Sequence, residues 1–199
     1  VLTTKIHSKQ EFQELIGSYF SLKNSEDFRT LLSNYYEESD PIWDALRATA
    51  IKKAEKQLQD NPEQWAIYNE NSNENVNVEA GPGSGKTHVL TLKCAKLIYH
   101  QHVNPKSILV LAYNRAVVVE LKSRLAKLFA SLGLSRSASQ LHVYTFHSLA
   151  KRVCGDSALS RYEMNEWERV LLKMIKDKPN DVRAAMPDLQ YVFIDEFQD

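Results

Sequence analysis

Ala80-Gly81-Pro82-Gly83-Ser84-Gly85-Lys86-Thr87 gathers three glycines, a lysine and two hydroxyls into eight residues. Glycine lets a backbone curl so that successive N–H groups converge on one anion, and a helix that follows adds its positive N-terminal end. The lysine supplies a point charge for the outer phosphates, and the threonine hydroxyl a ligand for Mg²⁺. This spacing suits a nucleoside triphosphate, although the usual pattern opens on glycine and this one on Ala80. A second chemical pair closes the chain, where the apolar run 191–194 leads into Asp195-Glu196. There Asp195 is expected to hold Mg²⁺ opposite Thr87, and Glu196 to polarise an attacking water.

Both sites need strands and helices to hold them. Alternation at Val76, Val78 and Ala80 predicts a strand entering the glycine loop. Val89, Leu90, Leu92, Ala95, Leu97 and Ile98 predict a helix leaving it, to about Tyr99. The near-continuous apolar run 107–113 predicts a strand buried on both faces. Val118, Leu121, Leu125 and Leu128 then mark a helix that turns Lys122, Arg124 and Lys127 to solvent. Residues 131–140 read as a loop, 141–146 as a third strand followed by a helix, and Trp167, Val170, Leu171 and Met174 as another helix. Strands alternating with helices predict an α/β domain on a parallel sheet, with ligands at the carboxyl ends of its strands.

The first 58 residues read as helices. Ser8 with Glu11 is a capping-box pattern, and Phe12, Leu15, Ile16, Tyr19 and Phe20 share one stripe. Phe28, Leu31, Leu32, Tyr35 and Tyr36 form a second, and Asp40-Pro41 launches a third helix. Asn61-Pro62 repeats that start signal for a short helix carrying Gln64 and Trp65. Residues 1–58 therefore predict a small helical module or a helical cover, with no chemistry of its own.

Composition narrows the class. The 199 residues are 43% hydrophobic and 25% charged, ordinary for a globular chain, and no apolar run approaches a membrane span. Cys94 and Cys154 lack metal spacing and read as idle thiols of a reducing compartment, which predicts a cytoplasmic protein. The formal charge is zero, yet it is unevenly spread. Residues 1–80 carry 8 Lys and Arg against 14 Asp and Glu, residues 81–155 carry 11 against 1, and residues 156–199 carry 6 against 10. A basic middle between acidic ends suits one face that meets phosphates of a nucleic acid.

Asp195-Glu196-Phe197-Gln198-Asp199 resembles the DExQD box of superfamily 1 helicases of the UvrD/Rep type. In that family the phosphate loop commonly opens on alanine, which accounts for Ala80. The sequence 61–64 resembles the upstream glutamine motif, and the resemblance implies that Gln64 reads the adenine edge. Segments 112–116 and 144–149 are similar to motifs that lie along single-stranded DNA. The resemblance thus implies a RecA-like ATP-binding domain. Gly81, Gly83, Ser84, Gly85, Lys86 and Thr87 would hold ATP; Thr87 and Asp195 would hold Mg²⁺; Lys86, Glu196 and Gln198 would serve catalysis. Tyr113, Asn114, Arg115, Thr145, Phe146 and His147 would line the strand path, offering donors, a cation and aromatic faces.

On this reading residues 1–58 are a helical segment and 59–199 a first RecA-like domain, with a reduced insertion at about 154–188. His147 and Asp195 are only 48 positions apart, whereas the family usually inserts a sizeable duplex-engaging domain there. The chain stops at the DExQD box, so a second RecA-like domain is expected downstream, with the strand that separates the loop strand from the DExQD strand. The 199 residues alone are expected to bind ATP weakly and not to unwind. Two other functions fit the residues: a non-motor nucleotide switch whose 1–58 helices recruit a partner, and an RNA-directed ATPase.

Overall fold

The computed structural model describes residues 8–11, 13–14, 30–34, 36–37, 41–71, 75–81 and 83–195, without the side chains at 42, 45 and 46. Most of the first two predicted stripes, Asp40, Pro82 and residues 196–199 lie outside this set. Within it, the Glu11 N–H donates to Ser8 Oγ at 3.1 Å, the expected cap. Leu31, Leu32 and Tyr36 are buried.

The described sheet has three parallel strands, β1 (Ile108–Ala112), β2 (His142–Thr145) and β3 (Tyr191–Ile194), in the order β2-β1-β3. β1 lies in the middle, and all five of its residues are buried, as its unbroken apolar run demands. Register places Leu111 beside Tyr144 and Ile194, so the three strands end at a common level.

Helices cover both faces. Ile108, Val110, Ala112 and Val143 pack on α3 (Lys86–His100) and α4 (Arg115–Ser131) through Cys94, Leu97, Leu121 and Phe129. On the other face Leu109 and Leu111 meet α6 (Phe146–Cys154) and α8 (Trp167–Asp177) through Leu149, Ala150, Val153 and Leu171. Short helices α7 (Asp156–Leu159) and α9 (Pro179–Ala185) complete this second layer. The outcome is a mixed α/β fold with a parallel sheet, consistent with the RecA-like expectation.

Ahead of the sheet, α1 (Ile42–Gln59) and α2 (Pro62–Asn69) pack on α3 through Leu58, Tyr68, Val89 and Leu92. Arg47 on α1 is buried, and its Nε and Nη2 donate to the carbonyls of Leu132 and Gly133 at 2.9 and 3.0 Å. These bonds satisfy carbonyls left over at the end of α4 and tie α1 to the domain.

Two expectations need correction. Residues 76–80 form no strand: they pair with nothing in the sheet, and Val76 is 54% exposed. A strand exists only with a ladder partner, and none of the described strands lies beside this segment. Among the described residues β3 bonds only to β1, and its Val192 and Ile194 are 51% and 37% exposed. Residues 131–140 are not wholly loop, since Ser135–Gln140 forms α5. Buried Leu132 and Leu134 draw this serine-rich stretch onto the core, and packing overrides its weak propensity.

Candidate functional site

The glycine loop turns tightly into α3. Gly83 and Gly85 sit at φ 76° and 86°, left-handed conformations that L side chains rarely adopt. The Ser84 N–H donates to the Gly81 carbonyl at 3.3 Å, and no side chain caps α3. The first N–H groups of α3 are therefore left facing the loop.

Gln64 is brought onto this loop by α2. The Asn61 side chain caps α2 by accepting from the Gln64 N–H at 3.2 Å, with Pro62 at the first helical position. Gln64 Nε2 then donates to the Ser84 carbonyl at 2.7 Å. A Cβ on Gly85 would stand 2.7 Å from that same nitrogen, so a larger residue there would also have to push the Gln64 amide aside.

Two residues that sequence reasoning missed hold this arrangement. Lys93 Nζ donates to the carbonyls of Ile67 and Glu70, and Lys96 Nζ to the Tyr68 carbonyl at 3.2 Å and to Asn69 Oδ1 at 3.1 Å. Both ammonium groups satisfy the C-terminal end of α2, where a positive charge is favourable. Burial holds both lysines below the usual pKa range. Their three-residue spacing on one helix was the available signal, but without the fold it reads as solvated charge.

The loop helix and the last strand meet. Thr87 Oγ1 donates to Asp195 Oδ2 at 3.1 Å, joining residues 108 positions apart. Asp195 is only 4% exposed, and its N–H donates to the Leu111 carbonyl at 2.8 Å, continuing the β3 ladder. Lys86 Nζ donates to the Ala80 carbonyl at 2.8 Å, which folds the side chain back over the loop. Ser84 Oγ is buried with no hydrogen-bond partner among the described residues. An orphaned hydroxyl just ahead of the uncapped start of α3, with a hydroxyl–carboxylate pair in the first turn, fits a phosphate with its divalent cation. Glu196 and Gln198 lie outside the described residues.

The six strand-path residues gather where β1 and β2 end, but they differ in character. Tyr113 is 53% exposed, and Arg115 is exposed. Asn114 accepts from the Val117 N–H at 3.0 Å and caps α4; buried Thr145 accepts from the Ser148 N–H at 3.1 Å and caps α6. Phe146 packs into the core beneath β1. His147 Nδ1 lies 3.7 Å from Glu168, with its ring tilted against Trp167.

Neither cysteine is bonded. Burial pushes the Cys94 thiol up to about 12 and also raises Cys154. No described helix is long and apolar enough to cross a membrane.

Comparison with known proteins agrees with this geometry. The chain is 38% identical over 78 residues to the ATP-dependent DNA helicase SRS2 of Saccharomyces cerevisiae, covering 39% of this chain and 6% of that protein. It is 32% identical over 144 residues to a probable DNA helicase of Mycoplasma pneumoniae, covering 66% and 26%. It is 29% identical over 130 residues to a probable DNA helicase II homolog of Rickettsia conorii, covering 60% and 19%. The chain thus spans about a quarter or less of the length of these relatives. The family model for the UvrD/REP helicase N-terminal domain matches residues 60–169, which run from the cap of the glutamine helix through both segments assigned to the strand path. With more than half of its length matched and its glycine loop closed against the aspartate after β3, this chain belongs to the UvrD/REP helicase N-terminal domain family.

Proposed function

We propose that the chain is the ATP-binding first motor domain of a DNA helicase or translocase that moves on single-stranded DNA. The observation that carries this reading is the Thr87–Asp195 contact, which joins the phosphate loop to the carboxylate after β3. Family membership and relatives named as ATP-dependent DNA helicases support it.

In this reading Gly81, Gly83, Ser84 and Gly85 wrap the phosphates with backbone N–H groups, and the Ser84 hydroxyl gains the partner it lacks. Lys86 leaves the Ala80 carbonyl to meet phosphate charge, and Gln64 orients the base beside the loop. Thr87 and Asp195 hold Mg²⁺, which when bound supplies Lewis-acid charge at phosphate oxygens. Glu196 accepts the proton of the attacking water, and Gln198 lies in the same catalytic segment. Tyr113 and Arg115 present an aromatic face and a cation to the strand, while Asn114, Thr145, Phe146 and His147 shape the floor beneath them.

The rest of the organisation belongs to the same proposal. Residues 1–58 form a helical segment open to a protein partner, and 59–199 form the first RecA-like domain, with a reduced insertion at about 154–188. A second RecA-like domain completes the motor across the ATP cleft, where an arginine from the other side raises the rate by ~10³–10⁵. The setting is the cytoplasm, a reading supported by two unbonded thiols.

Titration of nucleotide into the protein and its variants tests this. In the full-length protein Lys86→Ala is expected to abolish ATP binding, and Glu196→Gln to bind ATP without turning it over. Unaltered ATP affinity in Lys86→Ala would overturn the assignment of the loop.

A further inference from the structure

β2 is an edge strand, flanked by β1 on one side and by no strand on the other among the described residues. Beside it, toward the end of the sheet where the strands begin, lies a cleft of about 610 Å³. This is the opposite end from the Thr87–Asp195 contact, which follows the end of β3. The volume falls within the range of small-molecule sites, roughly 300–1,000 Å³.

Five parts of the fold converge on the cleft. Lys106 comes from just ahead of β1, Lys122 from α4, His142 and Tyr144 from β2, Arg152 from α6 and Asp188 from ahead of β3. Three permanent cations thus face one carboxylate. None of the three makes an ion pair among the described residues. The His142 and Tyr144 rings lie nearly parallel, 5.9 Å between centroids with 18° between planes. The Arg152 guanidinium stands 5.9 Å over the Tyr144 ring. Parallel aromatic faces inside a basic cleft suit a planar base attached to a phosphate.

The electrostatics agree with the geometry. Burial and the Arg152 charge hold the His142 imidazole below its ordinary pKa, with Lys106 adding to the effect and Asp188 opposing it. The ring is therefore neutral near pH 7 and sits in a net positive field. A phosphate entering the cleft would offset that field and raise the pKa.

We propose that this cleft is a second nucleotide-recognition site, taking a nucleobase against the His142 and Tyr144 rings and its phosphate on Lys106 and Arg152. It is separate from the triphosphate loop and does not rest on the assignment of that loop. The ligand is a nucleotide unit, either free or within a single strand.

The test follows the His142 imidazole by NMR in the full chain, with thymidine 5′-monophosphate, a short oligothymidylate and inorganic phosphate added separately. Either nucleotide ligand is expected to raise the His142 pKa. A response to the oligothymidylate alone assigns the site to single strands, and a response to both assigns it to the nucleotide unit. The exposed substitutions Lys106→Gln and Arg152→Gln together are expected to weaken binding by about 10-fold or more. Lys86→Ala is expected to leave the His142 response in place. No response to either nucleotide ligand, an equal response to inorganic phosphate, or a response that survives the double substitution would overturn the proposal.

Discussion

Thr87 and Asp195 lie 108 positions apart and share a 3.1 Å hydrogen bond, between the first turn of α3 and the residue that follows β3. The contact forms because β3 pairs with the central strand and α3 packs over that strand, so both termini arrive at one end of the sheet. Burial strips this carboxylate of most of its hydration, and the threonine hydroxyl is one of the partners that replace it.

If this pair holds the cation, Thr87→Ala and Asp195→Asn should each weaken nucleotide affinity about 10- to 100-fold in the presence of Mg²⁺. The loss should shrink when EDTA replaces the metal. Calorimetric titration with and without Mg²⁺ separates the two conditions, and equal losses in both would remove the metal role.

Gly85→Ala should disturb the loop more than its size suggests. The residue sits at φ 86°, where an L side chain costs about 1–2 kcal/mol, and its Cβ would press on Gln64 Nε2. Thermal denaturation should show the small loss of stability, and nucleotide titration a larger loss of affinity as Gln64 is displaced from the Ser84 carbonyl.

Gly133→Ala tests the attachment of α1. Gly133 has φ 64°, and an added Cβ would lie 2.5 Å from the Trp43 ring. Backbone strain and overpacking together predict a loss of about 2–4 kcal/mol in urea denaturation. Because Arg47 bonds to the carbonyls beside this turn, Arg47→Met should destabilise as well.

Stability should fall as the solution is acidified from pH 7. His88 and His142 are both held below the ordinary imidazole pKa, chiefly by burial and then by Arg124 and Arg152 respectively. The unfolded chain therefore binds their protons first. Their contribution is complete above the unfolded pKa near 6.5 and is lost as pH falls toward the folded values. His88→Gln with His142→Gln should flatten the profile of denaturation midpoint against pH between 7 and 5.

At the strand path the exposed pair Tyr113 and Arg115 offers the cleanest test. Tyr113→Ala with Arg115→Ala should weaken single-stranded oligonucleotide binding about 10-fold, leaving thermal stability and ATP affinity close to unchanged. Fluorescence anisotropy reads the first quantity. Phe146→Ala, by contrast, should cost stability, because that ring packs among Leu109, Leu111 and Leu149.

Local order alone settles a good deal in this chain. The glycine loop, the caps at Asn61 and Ser8, the buried central strand and the strand before Asp195 depend on neighbours a few residues away, and all are legible in the residues themselves. Family membership follows from the same local motifs. What lay beyond them depends on distant partners. The 76–80 segment alternates like a strand yet has no ladder to join, and 131–140 looks like loop until Leu132 and Leu134 find the core. Asn114 and Thr145 each cap the helix that follows through a bond three residues on, as local as the caps at Asn61 and Ser8. Lys93 and Lys96 gain a role only when α2 presents its carbonyls to them. Periodicity and turn chemistry are encoded within a window of a dozen residues, whereas a hydrogen-bond partner a hundred residues away exists only after the sheet has brought it there.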